Sequence, residues 1–208
     1  MTTINGNDMI DAYEGAEAFA NDYTFHRWCE DLFILNNEIQ TQTTLDTYYI
    51  RAYFIVIYEL SNEGLHYAKK QELSVPDKRY SLLVKMIEDI FSKITDDEYF
   101  LIKYYRDSYC HIFTRSYNYH DGEGRTRKNS NFYTKDGTKY ILTPYEIMKK
   151  AESIIGRSYS GEVDFKKRIF TTFYPIIKDY EPLFKDEEER ISTSINELLN
   201  PFNNITIL

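Results

Sequence analysis

Apolar residues recur every three or four positions along most of this chain, a spacing that predicts helices. In residues 12–40, Tyr13, Ala16, Phe19, Ala20, Tyr23, Trp28, Leu32, Phe33, Leu35 and Ile39 mark one or two of them. Residues 45–71 follow as a long helix with Thr44 as N-cap and Gly64 as its only helix breaker. The run Tyr53-Phe54-Ile55-Val56-Ile57-Tyr58 at its centre has a composition that also suits a strand. The length of the uninterrupted segment favours a helix buried on most sides. Ser74-Val75-Pro76-Asp77 opens the next helix, over residues 76–94, with Leu82, Leu83, Met86, Ile87 and Ile90 as its apolar stripe.

Thr95 and Glu98 form a capping box, which predicts a helix over residues 96–119. Asp121-Gly122-Glu123-Gly124 stops it, and the basic loop Arg125-Thr126-Arg127-Lys128 follows. Residues 131–142, with Phe132 and Tyr133 on one arm, Tyr140 and Ile141 on the other and Asp136-Gly137 at the turn, read as a small hairpin. A second capping box, Thr143 to Glu146 with Pro144 at the first helical position, starts a helix ending near Gly156. Two last helices are predicted over residues 162–180, kinked at Pro175, and 186–199. The fold class expected is therefore all-α, a helical bundle with a small inserted β-hairpin. The 208 residues suit one domain. Residues 1–11 are expected to be disordered or loosely attached, 120–142 to be an insertion, and 186–208 to be a C-terminal appendage.

Composition narrows the class. Twenty Tyr and 13 Phe against 8 Gly and 5 Pro favour long helices with aromatic packing. The apolar run Tyr53 to Tyr58 is far too short to span a bilayer, so no membrane is expected. The polar N-terminus does not read as a signal peptide. Cys29 and Cys110 have neither CxxC nor zinc spacing, so neither a disulfide framework nor a zinc site is expected; no metal or other cofactor is expected either. Two free thiols suit a reducing cytoplasm. A net charge of −8 argues against non-specific nucleic-acid binding. Its distribution modifies that: residues 103–150 carry ten Lys/Arg against five Asp/Glu, a net +5, which leaves −13 on the remainder.

The basic share surrounds Tyr104-Tyr105-Arg106-Asp107-Ser108-Tyr109-Cys110-His111. Arginine holds a phosphate bidentately and is always charged; histidine moves a proton near neutral pH. Together they supply two needs of RNA cleavage, stabilisation of phosphoryl charge and general acid–base catalysis. Ten Arg and four His in 208 residues give about 0.2 such spacings by chance. A second pair, Arg115 and His120, has the same spacing and runs into the glycine-bearing loop. An ordinary helical arginine with a histidine at the core edge is the plainer account of the first pair, and a solvated helix end that of the second.

The segment Tyr105-Arg106-Asp107-Ser108-Tyr109-Cys110-His111 resembles the signature of the HEPN superfamily, small all-helical domains that include many metal-independent ribonucleases. The pattern is Arg, a polar residue, three residues, then His. Arg106, Asp107 and His111 match in order; Arg115, Ser116 and His120 match less well. The likeness covers residues 12–185 in outline and about seven residues in detail. The hairpin and the last helix depart from the minimal pattern. It implies His111 as general acid or base, Arg106 on the scissile phosphate, and Asp107 orienting Arg106 or recruiting a partner helix. The ribose 2′-hydroxyl would attack its own phosphodiester to leave a 2′,3′-cyclic phosphate. Arg115, Arg125, Arg127 and Lys128 would track the RNA backbone, with unpaired bases stacked on Tyr; solubility is the alternative role for the basic loop. Positions i and i+5 lie about 140° apart on a helix, so one helix does not readily aim both groups at one atom. The resemblance implies a homodimer with a composite site, a toxin or phage-defence setting, and control by an antitoxin or other regulatory protein.

Two other classes remain open. His120-Asp121, with His66 or His111, resembles the metal-binding doublet of the all-helical HD phosphohydrolases. The same scaffold also serves as a non-catalytic dimeric binding module, since a fold does not fix a function.

Overall fold

A computed structural model of the chain describes residues 6–41, 48–110, 130–156 and 159–199. Helix α2, Tyr48–Glu59, is the central element, and it packs against α1, Gly6–Gln40, and α5, Asp96–Cys110. Its strand-like composition is overridden by burial. Ile50, Tyr53, Phe54 and Ile57 share one helical face and are each at most 1% exposed. A buried polar relay ties three helices there. The Tyr53 hydroxyl donates to Asn36 Oδ1 (3.3 Å), and Asn36 Nδ2 donates to the Tyr174 carbonyl (3.2 Å). Both ends of the relay lie in the core, where an unmet polar group would cost roughly 1–3 kcal/mol.

The helix does not stop at Glu59. It passes through a π-helical turn, Leu60–Gly64, into α3, Leu65–Gln71. The π turn is close-packed at its end: a Cβ on Gly64 would come within 3.0 Å of the Leu60 side chain. Helix α4, Lys78–Ser92, starts at Asp77, whose carboxylate accepts from the Arg79 backbone N–H (2.9 Å). Both predicted capping boxes are present. Glu98 accepts from the Thr95 N–H (2.8 Å) while its own N–H donates to the Thr95 hydroxyl (3.2 Å). Thr143 and Glu146 repeat the exchange at the start of α6, Pro144–Ile155.

The hairpin forms as expected, β1, Ser130–Tyr133, antiparallel to β2, Lys139–Leu142, with Phe132 opposite Tyr140. Gly137 takes φ 87° at the turn, a conformation that costs glycine little. The hairpin is not a loose insertion. Phe132 is 1% exposed and packs on Phe100, with ring centroids 4.9 Å apart. Lys135 Nζ donates to the Phe91 (3.0 Å) and Ile94 (2.5 Å) carbonyls, meeting the orphan acceptors at the end of α4.

The C-terminal region differs from the sequence expectation. Residues 159–199 form one helix, α7, Tyr159–Leu199, with Pro175 and Pro182 inside it. Each proline removes a backbone hydrogen bond at a cost of about 3 kcal/mol. Burial of Phe165, Ile169, Phe170, Phe173, Ile177 and Phe184 spans both prolines and offsets it, at roughly 1.5–3 kcal/mol for each side chain. Nor is the stretch from residue 186 a mere appendage. Glu187 is buried and accepts from the Lys78 N–H (3.0 Å), and Arg190 donates to the Pro76 carbonyl (3.1 Å). At the other end α1 begins at Gly6, inside the stretch expected to be loosely attached. The structure is all-α with one small hairpin. Among the described residues no helix is long and apolar enough to cross a membrane.

Candidate functional site

The last two turns of α5 carry Lys103, Arg106 and Asp107 on a flank facing the end of α2. Arg106 is half-buried there. Its Nε donates to Glu59 Oε1 (2.7 Å), its Nη2 donates to the same oxygen, and its Nη1 donates to Asp107 Oδ1 (3.0 Å). The guanidinium also lies over the Tyr58 ring, 5.4 Å from the centroid. Lys103 Nζ is 3.2 Å from Asp107 Oδ2 and lies over the rings of Tyr58 and Phe132. Asp107 is itself buried. The four charges balance, so the cluster is neutral.

Burial alone would disfavour the Arg106 charge. The hydrogen bonds to Glu59 and Asp107 outweigh it and hold its pKa above the ordinary value. Tyr58 is shifted upward by burial and by the neighbouring Tyr99 and Asp107, so its hydroxyl stays protonated. Three of the five guanidinium N–H donors are used on carboxylates, which leaves two that those bonds do not occupy. The arrangement fixes the direction of the fork.

Lys166 of α7 is 1% exposed beside α5, paired with Glu162 at 2.6 Å and lying over the rings of Tyr105 and Tyr109. Burial opposes its charge, but hydrogen bonds with Glu162 and Tyr109 raise its pKa. Arg51 stands over the Tyr109 ring, 5.7 Å from the centroid. Tyr105 and Tyr109 of α5 are thus packing residues against cations of α7 and α2.

Of the residues singled out by sequence, the structure joins Arg106 and Asp107 directly. His111, Arg115, His120, Asp121, Arg125, Arg127 and Lys128 lie outside the described residues. The positive balance of residues 103–150 is partly local. Lys150 pairs with Asp97 (2.6 Å), Lys149 with Glu152 (3.8 Å), and Lys135 serves the carbonyls at the end of α4. His66 is exposed on α3 and lines a shallow depression with Glu63 and Lys70. Cys29 is buried and burial pushes its thiol pKa far up; Cys110 is exposed.

Sequence reasoning missed Glu59, because nothing in the linear order connects it to Arg106 across 47 positions. It also missed a second polar cluster. His26 Nε2 lies 3.3 Å from Asp22 and 3.9 Å from Asp77. Asp22 accepts from the Tyr80 hydroxyl, and Asp77 takes Arg79 through Nε and Nη2. The Asp22–His26 spacing of four was the available signal. Burial, then the Arg79 charge, lower the His26 pKa against the opposing pull of Asp22 and Asp77. This cluster opens onto a cavity of about 430 Å³ between α1 and α7.

Comparison with protein-family models, curated proteins and solved structures returned no match to this chain.

Proposed function

We propose that the chain is a metal-independent endoribonuclease of HEPN type, acting as a toxin or phage-defence effector. The observation that carries this reading is the half-buried Arg106, aimed by Asp107 from its own helix and Glu59 from α2. A fixed guanidinium fork suits a phosphodiester, and its preorganisation favours the charge that develops on the phosphoryl oxygens. His111, one residue beyond the described end of α5, moves the proton of the 2′-hydroxyl or of the leaving oxygen. The 2′-oxygen bonds to phosphorus as the P–O5′ bond breaks, giving a 2′,3′-cyclic phosphate and a 5′-hydroxyl. An i, i+5 spacing on a helix separates two side chains by about 140°, which supports a composite site shared with a second copy of the chain.

A second reading has its own support. Arg106 already meets two carboxylates inside the fold, which is what a packing arginine in a non-catalytic binding module does.

One experiment separates the two. Full-length protein is incubated with structured and unstructured RNA in the presence of EDTA, and product ends are mapped. The nuclease gives cyclic-phosphate ends, and Arg106→Ala and His111→Ala each lower the rate by at least about 100-fold. Cleavage at the wild-type rate by His111→Ala overturns the catalytic assignment, and no cleavage by the wild-type protein leaves the binding module.

A further inference from the structure

The cavity beside His26 continues as a groove between α1 and α7. The helices run antiparallel along it: Phe33 meets Phe184 edge to face (5.1 Å), and Asn37 Nδ2 donates to Glu181 (3.2 Å). Cys29, Phe33, Ile34 and Phe184 form an apolar floor. Ile34 is 53% exposed, an aliphatic side chain held at the mouth of the groove rather than in the core. A single exposed isoleucine is ordinary. Here it is continuous with two phenylalanines and a cavity in the size range of binding clefts.

The rim has a sign. Glu30 and Glu38 line it from α1, Glu181 and Glu188 from α7, against only Arg79 and Lys185. Arg79 is held by Asp77, and the buried Glu181 holds Lys185 (2.7 Å) and Lys178 (3.1 Å), so the rim's further acids are Glu30, Glu38 and Glu188. His26, its pKa lowered, adds no positive charge near neutral pH. The rim therefore repels phosphates and welcomes cations. From His26 to Glu38 the groove is about 18 Å long, three helical turns at 1.5 Å per residue. Glu30, Lys185 and Ile34 keep it open to solvent along that length.

We propose that this groove docks a basic amphipathic helix of a partner protein. The incoming helix sets apolar side chains at i, i+3/i+4 and i+7 on Ile34, Phe33 and Phe184, while flanking Lys and Arg meet Glu30, Glu38 and Glu188. The excess negative charge outside residues 103–150 steers its approach. The proposal stands whether or not the chain cleaves RNA.

The test uses the full chain and a fluorescent peptide of leucine and lysine in helical amphipathic register, followed by anisotropy. Two controls are its scrambled isomer and a leucine–glutamate version. The amphipathic basic peptide is expected to bind, with both controls at least about tenfold weaker. Ile34→Lys and Glu188→Lys each weaken binding by about tenfold or more. Leu73→Lys, at a 91% exposed position outside the groove, leaves it unchanged. Circular dichroism establishes that each variant is folded. Equal binding of the scrambled peptide, or no response to Ile34→Lys, overturns the proposal. So does the absence of binding at millimolar peptide. Self-association of the chain that Ile34→Lys abolishes, without peptide binding, assigns the groove to a second copy and overturns it too.

Discussion

The Arg106 cluster and the His26 cluster each place one basic side chain between two carboxylates, Glu59 and Asp107 in the first, Asp22 and Asp77 in the second. They differ in what the fold must do for the base. Arginine cannot shed its proton, so partial burial is tolerable only if carboxylates follow it into the structure. Histidine can become neutral, and burial lowers its pKa in spite of the two acids. The first cluster is accordingly closed and charge-balanced around one fork. The second stands at the edge of open space. The sequence motif and the cavity between α1 and α7 therefore belong to different regions. The chemistry proposed at α5 and the recruitment proposed at the α1–α7 groove are separable tasks.

The largest expected effect is at the closed cluster. Asp107→Ala removes the shared partner of Arg106 and Lys103, taking that carboxylate from Lys103 and leaving Arg106 dependent on Glu59. A loss of about 3 kcal/mol in urea unfolding is expected. A loss below about 1 kcal/mol would mean that solvent already screens the cluster, and the contrast with His26 would collapse.

Asp77→Ala comes next, at about 2 kcal/mol. It deletes the N-cap of α4 together with the fork contact of Arg79. Thermal unfolding would record this; an unchanged midpoint would show that the acids around His26 hold no structure.

The smallest effect is one of pH. The folded-state pKa of His26 lies below the ordinary 6.5, so above 6.5 the neutral ring is present in both states at no penalty. As pH falls through 6.5 the unfolded chain takes up the proton first, and stability declines until the folded pKa is passed. His26→Gln should flatten the stability profile between neutral and mildly acidic pH. A profile that stays as steep would place the titration elsewhere.

Most helices were legible because their caps are local chemistry. Thr95 with Glu98, and Thr143 with Glu146, state a helix start within four residues. The hairpin was legible from Asp136-Gly137 between two short arms, each with adjacent apolar residues. The long C-terminal helix was not. Pro175 and Pro182 are strong local signals for a break, while the phenylalanines that override them act through packing on distant helices, Phe165 on α2 and α5, Phe170 on α2 and Phe184 on α1. Likewise the joining of Asp107 to Arg106 could be read from adjacency, but Glu59 could not.

The sequence by itself determined the helical periods, the caps, the hairpin turn, and the placing of Arg106 beside Asp107 on one helix, because each depends on residues a few positions apart. Tertiary structure alone decided that α2 brings Glu59 to that arginine. It also decided that residues 159–199 stay one helix, and that α1 and α7 leave an acid-rimmed groove. Those outcomes depend on which distant surfaces exclude water together, and no local spacing encodes that.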